Sequence, residues 1–321
     1  MLVDWRPSAP RENLVLRAQL NRLIREFFAS RGVLEVETPI LSEAGNTEPN
    51  IESFETSFHG RSDAPSRARW LRTSPEFLLK RMLAAGYGDC YELGRVFRDG
   101  EAGGRHNPEF TMLEWYRMGW TLDELVAECI ELLLTISGLR EDFDPSIQRV
   151  TFQQLYQKCL NLDPFNASID ELRAPLRGIV MDPDGLTRDD WLDLLMTHRI
   201  QPSMQMDEIW IVTDFPASQA ALARIDGKVA KRFEIYWNQL EIANGYDELI
   251  DAREQHQRFR NDQTKRTERA QRFVAMDERL INALEELSPC CGVAIGVDRL
   301  MMILAATDRI RDVIAFDFAR S

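Results

Sequence analysis

The chain has 321 residues, 44% of them hydrophobic, and a formal charge of −13. That is one large or two small domains with an ordinary globular core; no apolar run reaches the roughly 18 residues of a membrane span, and the N-terminus lacks the apolar block of a signal peptide. The acidic balance argues against a broad nucleic-acid surface. Cys90, Cys129, Cys159, Cys290 and Cys291 form neither a CxxC pair nor a zinc spacing, and an odd count with one adjacent pair fits a reducing cytoplasm.

Residues 1–12, with Pro7 and Pro10, read as an irregular leader. Leu16, Leu20, Leu23 and Phe27 recur at helical spacing and predict a helix over 13–31, with Gly32 at the C-terminal cap. A strand follows over 33–41, where Pro39 marks an edge or a bend because it cannot donate to a ladder. Residues 42–69 are polar and loop-like apart from a short strand at 54–58, and 70–72 is a brief strand. In TSPEFLLKRMLAAG, Thr73 and Glu76 have the spacing of a capping box, Pro75 lies in the first turn, and Gly86 ends the helix. Capping alone would account for Glu76.

Residues 91–117, YELGRVFRDGEAGGRHNPEFTMLEWYR, predict a β-hairpin: a strand over 91–98, a Gly-rich loop over 99–107 carrying Arg105 and His106, and a second strand over 108–117. Alternation places Phe110, Met112, Glu114 and Tyr116 on one face, and Thr111, Leu113 and Trp115 on the other. Arginines at the tip, with a carboxylate and aromatic rings along one face, suit a polyanion bearing a flat ring, such as ATP. The alternative is an amphipathic hairpin with a solvated tip.

A helix over 121–137 opens on a second capping box, Thr121 and Glu124. Helical runs at 152–160 and 188–199 are separated by Asp163-Pro164 and Asp182-Pro183 and carry no visible chemistry. A strand follows at 208–215. In VAKRFEIYWNQLEIANGYDELI, residues 232–237 alternate, Asn238-Gln239 turns, 240–243 returns, and Asn244-Gly245 predicts another tight turn, flanked by Glu241 and Glu248. Such acids are usually solvated; held either side of a turn they could instead bind Mg²⁺ beside phosphates. A long charged helix is predicted over 251–274 with a break near Thr267, then a helix over 276–287, a loop over 288–292, a strand over 293–296 and a helix from Val297. Arg299 falls in that helix's first turn, where a cation opposes the macrodipole unless an anion such as a triphosphate lies nearby. Gly292 and Gly296 permit close backbone approach. His59, His106, His198 and His256 show no metal or triad spacing.

Three segments, in this order, resemble the signature motifs of class II aminoacyl-tRNA synthetases in the version found in lysyl-tRNA synthetases: VETPIL at 36–41, GRVFRDGE with HNPEFTMLEWY in the hairpin, and GVAIGVDRLMMIL at 292–304. The resemblance implies an α+β fold, an antiparallel β-sheet flanked by helices. It implies a single catalytic domain over 1–321, with a mainly helical insertion around 140–205 and no room for an N-terminal anticodon-binding barrel. It implies a homodimer built on the first helix and strand. For catalysis it implies that Arg98 holds the α-phosphate of ATP and Arg299 the γ-phosphate. ATP contacts would extend over Asp99, Gly100, Glu101, His106, Asn107, Phe110, Glu241, Ile242 and Gly296, with Phe110 stacked on adenine. Glu241 and Glu248 would carry Mg²⁺. Ser74, Glu76, Tyr116, Glu248 and Ala294 would line the amino-acid pocket. The implied chemistry is adenylate formation, which rests on positioning and on stabilising phosphate charge.

Three features depart from the tRNA-charging pattern. The second motif reads Arg98-Asp99-Gly100 with Glu101 one place late, Ala294 stands where glycine is usual, and the chain starts almost directly at the catalytic core. One methyl in a pocket can shift substrate choice by roughly 1–3 kcal/mol. Within the family these features resemble the short cytoplasmic ligases that attach (R)-β-lysine to a lysine ε-amine of translation elongation factor P, forming an amide. A free-standing core that charges tRNA with lysine is the alternative, and the acidic balance speaks against it.

Overall fold

The computed structural model describes residues 5–61, 63, 66–141, 143–179 and 184–321. Contacts divide the chain into two compact units, Met1–Leu139 with Ile250–Ser321, and Arg140–Leu249. The architecture is α+β with mostly antiparallel pairing.

The first unit opens with α1 (Arg11–Ala29), which buries Leu20, Ile24, Phe27 and Phe28 along one stripe. Phe28 stacks on Tyr91 at 4.5 Å and meets Trp115 edge-on at 5.2 Å, so the helix is fixed against the hairpin. The strand expected over 33–41 is instead two short pieces in different sheets. β1 (Leu34–Glu35) and β2 (Leu41–Ser42) are separated at Pro39, where a continuous ladder would lack a donor. β2 joins β3 (Glu55–Ser57) and β4 (Ala68–Leu71) in a small sheet of order β2-β4-β3. The capping box at Thr73 and Glu76 does not form. α2 (Glu76–Ala84) starts after Pro75 without a side-chain cap. Thr73 Oγ1 accepts from Asn46 Nδ2 at 3.1 Å, and Ser74 Oγ accepts the Glu76 N–H at 2.9 Å. The hairpin is present as β5 (Cys90–Phe97) and β6 (Glu109–Met118), and α3 (Leu122–Ser137) begins with the expected Thr121–Glu124 box.

The second unit holds β7 (Ser146–Thr151), α4 (Phe152–Leu160), α5 (Ile169–Arg173), α6 (Arg188–Leu195), β8 (Glu208–Pro216), β9 (Ile225–Asp226), β10 (Val229–Trp237) and β11 (Leu240–Asp247). The strands run β11-β10-β8-β7, with β9 beside β10, and the helices cover a core that includes Phe152, Tyr156, Leu192, Trp210 and Phe215. The helix expected to reach residue 199 ends at Leu195 and passes into a π-helical turn, Met196–Ile200. Asp182-Pro183 lies outside the described residues. The Asn244-Gly245 turn is absent. β11 runs straight through it, pairing Asn244 with Glu234 and Gly245 with Phe233, while the hairpin turns once, at Asn238 and Gln239 with φ of 53° and 60°. Asn244 is used as a side chain: its Oδ1 accepts from Arg232 Nε at 3.1 Å and its Nδ2 donates to Tyr246 OH at 2.9 Å.

The chain returns to the first unit with α7 (Ala252–Glu268), α8 (Glu278–Leu284), β12 (Cys290–Gly296) and α9 (Val297–Leu304). α7 stops where the break near Thr267 was expected. β12 begins earlier than the expected residue 293, so Cys290 to Gly292 are strand rather than loop. The sheet of this unit runs β1-β5-β6-β12, with β1 parallel to β5 and the other neighbours antiparallel.

A buried clamp ties the Pro39 segment to this sheet. Arg72 Nη2 pairs with Glu92 Oε1 at 2.6 Å, Arg72 Nη1 reaches Thr38 Oγ1 at 2.6 Å, and Thr38 Oγ1 donates to Glu92 Oε2 at 2.7 Å. A Cβ on Gly94 would lie 2.7 Å from Arg72 Nη2 and 2.9 Å from Glu92 Oε1. Gly94→Ala is therefore expected to destabilise the protein by about 1–3 kcal/mol, read as a lower urea midpoint with unchanged slope.

Candidate active site

Register builds one face of the first unit's sheet. On β6, Met112, Glu114 and Tyr116 lie opposite Gly94, Glu92 and Cys90 of β5, and opposite Gly296, Ala294 and Gly292 of β12. Paired residues across an antiparallel ladder share a face. Glu114 therefore has Ala294 as its direct β12 neighbour, with a glycine on either side of it in the same row. The result is a floor without large side chains on one flank of a buried carboxyl group.

Glu114 is 2% exposed. Its Oε2 accepts from Ser74 Oγ at 2.7 Å and its Oε1 from Tyr116 OH at 2.8 Å. Burial, and then the charge of Glu76, push its carboxyl up to about 8; the Ser74 and Tyr116 hydrogen bonds and the Lys80 charge pull the other way. Glu76, released from capping, pairs with Lys80 Nζ at 2.7 Å within α2. Two carboxyl groups thus share one ammonium, and the cluster is one positive charge short of neutrality when both are ionised. Glu92, directly across from Glu114, is balanced by Arg72.

The hairpin loop and the start of α9 carry the arginines. Arg98 lies over the Phe110 ring, 5.1 Å from its centroid. Glu101, the displaced acid of the second motif, turns back so that its Oε1 lies 3.5 Å from Arg98 Nη1. The Asp99 N–H donates to Glu52 O at 2.9 Å, and Gly100 adopts φ +82°. Arg299 reaches the same loop: its Nη2 is 2.8 Å from His106 Nε2. A guanidinium offers no lone pair, so Nε2 accepts and the His106 proton sits on Nδ1. The Arg299 stem lies over Gly296, whose Cβ position is 3.8 Å from Cδ of the arginine. The two arginines therefore address one loop, Arg98 at its base and Arg299 across its tip.

Asp298 orients this arrangement. Its Oδ2 accepts the Thr111 N–H at 2.6 Å, and its Oδ1 pairs with Arg17, whose Nε and Nη2 also reach Val313 O at 3.0 and 2.8 Å. The first turn of α9 is thereby locked to β6 and α1. An acid in that turn also complements the macrodipole that Arg299 opposes.

In the second unit, Glu241 and Ile242 lie on β11, and Glu248 follows it, buried, with its backbone bridged to Ala223. Regular alternation would place Glu241 and Glu248 on opposite faces. A bulge intervenes: Tyr236 pairs with Glu241 but Ile235 with Ala243, leaving Ile242 as the extra residue. The parity flips, and the alternation then puts Glu241, Asn244, Tyr246 and Glu248 on one side. Oxygen donors on a common side fit a hard cation such as Mg²⁺. Among the described residues no group of three or more His, Cys, Asp or Glu forms a closed metal site. That is compatible with an ion that takes few protein ligands and completes its shell elsewhere. On the same face Arg232 pairs with Glu234 and contacts Asn244. Burial pushes Glu234 up to about 7 against the pull of Arg232.

The structure thus gathers Ser74, Glu76, Tyr116 and Ala294 around Glu114, and Arg98, Glu101, His106, Phe110, Gly296 and Arg299 around the loop. Sequence reasoning placed Glu114 on the correct face but gave it no role, and it missed the Asp298 clamp. The signal for Glu114 was a carboxylate set within an apolar and aromatic run, between Met112-Leu113 and Trp115-Tyr116.

The family model described as tRNA synthetases class II (D, K and N) matches residues 1–320. A Pseudoalteromonas translucida protein named elongation factor P–(R)-β-lysine ligase is 45% identical over 324 residues, covering 99% of this chain and 98% of that protein. Proteins of the same name from Mannheimia succiniciproducens and Haemophilus influenzae are 44% and 43% identical, over 97% and 98% of this chain and the same shares of theirs.

Removing the Asp298 carboxylate leaves Arg17 without its charge partner and a buried Thr111 N–H without an acceptor. Asp298→Ala is expected to cost about 3–5 kcal/mol and Asp298→Asn distinctly less, measured by chemical denaturation.

Proposed function

The chain belongs to the class II tRNA synthetase family of the D, K and N type, and from that premise we propose that it is an ATP-dependent ligase which activates (R)-β-lysine and transfers it to a lysine ε-amine of translation elongation factor P. The names and near full-length match of the relatives support this reading. The observation that carries it is the cluster at Glu114: two carboxyl groups with one ammonium between them, beside a floor of small residues, have the charge deficit that a substrate amine fills.

In the first step a carboxylate oxygen of the amino acid attacks the α-phosphorus of ATP, and the bond to pyrophosphate breaks. Arg98 at the base of the loop and Arg299 at its tip supply positive charge at the two ends of the phosphate chain, and Phe110 offers a ring face for adenine. Asp99, Gly100 and Asn107 hold the loop that surrounds the nucleotide. In the second step the ε-amine of the acceptor lysine attacks the activated carbonyl carbon, the bond to AMP breaks, and the amine loses a proton as the amide forms. Glu114, with Ser74 and Tyr116 on its oxygens, holds the substrate amine, and Glu76 contributes to the same field. The roles of Glu241, Ile242 and Glu248 toward ATP, the amino acid and Mg²⁺ rest on the resemblance and, for the two acids, on the common side that the bulge at Ile242 gives them. Mg²⁺, when bound, neutralises phosphate charge.

The family match runs through both units, which supports one catalytic domain over 1–321 with a mainly helical insertion around 140–205. A homodimer through the first helix and the segment after it draws support from Leu34 on β1 and from Ile40 and Leu41 beyond Pro39, which are 48%, 39% and 49% exposed. No helix among the described residues is long and apolar enough to cross a membrane. The reduced state of the cysteines suits the cytoplasm, where a translation factor would be met.

Incubating the protein with ATP, (R)-β-lysine and elongation factor P should add one β-lysyl group to the factor by intact mass, with AMP released; an unmodified factor defeats the proposal. Arg299→Ala should lower the rate of ATP–pyrophosphate exchange by about 10²–10³-fold. The pH dependence follows from Glu114. An amine ligand needs its carboxylate, and below about pH 8 the group holds a proton. KM for the amino acid should therefore fall by up to about tenfold per unit from pH 6 to 8 and then level off. Glu114→Gln should raise KM and flatten that profile.

A further inference from the structure

The loop between β5 and β6 is closed at its start by the Arg98 N–H on Pro108 O at 2.8 Å and the Asp99 N–H on Glu52 O at 2.9 Å, and beyond that its own backbone bonds are few, the Ala102 N–H on Gly100 O at 3.1 Å and the Gly103 N–H on His106 O at 3.0 Å. Gly100, Gly103 and Gly104 are exposed, and a Cβ on any of them would meet nothing within 4 Å. Such a segment samples many conformations, and ordering it around a ligand costs conformational entropy. The stretch from Gly104 to Asn107 is restrained from outside as well, by the residues that follow α9. The Ile310 N–H donates to Gly104 O at 2.8 Å, and the Phe318 N–H donates to Asn107 Oδ1 at 3.0 Å. Asn107 Nδ2 in turn donates to Glu109 O at 2.7 Å, so both ends of that amide are fixed.

The C-terminal segment is itself anchored to the start of the chain. The Ser8 N–H donates to Ala315 O at 2.7 Å, Ser8 Oγ donates to Asp317 Oδ1 at 2.8 Å, and the Asp317 N–H donates to Ser8 Oγ at 3.0 Å. Asn13 Nδ2 reaches Asp312 O at 2.8 Å, and Arg17 reaches Val313 O. A chain of hydrogen bonds therefore runs from the N-terminal leader through residues 310–318 to Gly104 and Asn107.

We propose that residues 310–318, held by the Ser8–Asp317 pair, form a strap that sets the β5–β6 loop in its nucleotide-binding shape before ATP arrives. Asp317 and Phe318 are positioning residues acting through Asn107 and touch no reacting atom. The ordering cost is met during folding, which lowers KM for ATP and leaves the amino-acid subsite alone. The inference rests on the loop being the ATP loop; the existence of the strap does not.

The test compares Asp317→Ala, Asp317→Asn and Ser8→Ala with the full-length parent, all checked for unchanged melting temperature. Asn keeps an oxygen that accepts from Ser8 Oγ, so it is the conservative rescue. Hydrogen–deuterium exchange at residues 99–107 without ligand should speed up in Asp317→Ala and Ser8→Ala and stay near the parent rate in Asp317→Asn. In ATP–pyrophosphate exchange the two loosened variants should show KM for ATP raised about 3- to 10-fold, with kcat at saturating ATP and KM for the amino acid unchanged. Unaltered loop exchange in both variants overturns the strap. Faster loop exchange with unchanged or lower KM for ATP overturns its role in nucleotide binding. If the parent shows no ATP-dependent exchange of pyrophosphate, the ligase reading fails, while the deuterium result still decides the strap.

Discussion

A carboxyl group in the centre of a sheet face has to be neutralised, hydrogen-bonded or kept for a ligand, because desolvating its charge is costly. The first unit places two such groups side by side, Glu92 on β5 and Glu114 on β6, and treats them differently. Glu92 receives Arg72 and Thr38 and becomes a structural ion pair that holds the Pro39 segment. Glu114 receives hydroxyls, from Ser74 and Tyr116, and shares the charge of Lys80 with Glu76, to which that ammonium is hydrogen-bonded. Hydroxyls orient a carboxylate without discharging it. The same fold that fully compensates one acid leaves its neighbour under-compensated, and the small residues of β12 lie along that neighbour's flank. In the proposed reading, that shortfall of positive charge is what the substrate amine supplies.

The spacing along β12 then relates the two halves of the chemistry. Ala294 lies opposite Glu114 and Gly296 opposite Met112, one alternation step of about 7 Å farther along the strand. Gly296 is also the residue at which β12 gives way to α9, so the step that leaves the Glu114 row arrives at the turn carrying Arg299. Asp298 fixes that step by bonding the Thr111 backbone, the strand position beside Met112. Strand register and one buried carboxylate together set the separation between Glu114 and Arg299. Neither end can slide without breaking the ladder between β6 and β12. The loop carrying Asn107 and His106 lies outside that ladder, which leaves its shape open to the external restraint proposed above.

What the sequence disclosed follows from which interactions are local. The hairpin was legible because a Gly-rich loop followed by a run rich in β-branched and aromatic residues is a local signal, and Thr121–Glu124 was legible because a capping box is four residues long. Thr73 and Glu76 carry the same spacing but fail to cap. A residue from elsewhere, Asn46, takes the threonine hydroxyl, and Ser74 takes the backbone donor. Asn244-Gly245 is a strong turn dipeptide that tertiary pairing overrides, since Arg232 and Tyr246 engage the asparagine side chain within a continuous ladder. Glu114 was placed correctly and left without a role, because whether a strand carboxylate is solvated or buried depends on α2, which is far away in sequence.

The bulge at Ile242 shows how much can hang on one unpaired residue. In a regular strand Glu241 would face away from Asn244, Tyr246 and Glu248, because an odd separation reverses the side. With Ile242 inserted opposite the Ile235–Tyr236 step, all of them share a side with Arg232 and Glu234. That side is already charged: Glu234 is raised toward neutrality by burial even with Arg232 bonded to it, so further negative charge there is unfavourable unless a cation accompanies it. A strand that collects acids on one side in this way acquires affinity for positive charge from its register alone. Removing the extra residue would return Glu241 to the opposite face, although every acidic residue would still be present in the sequence.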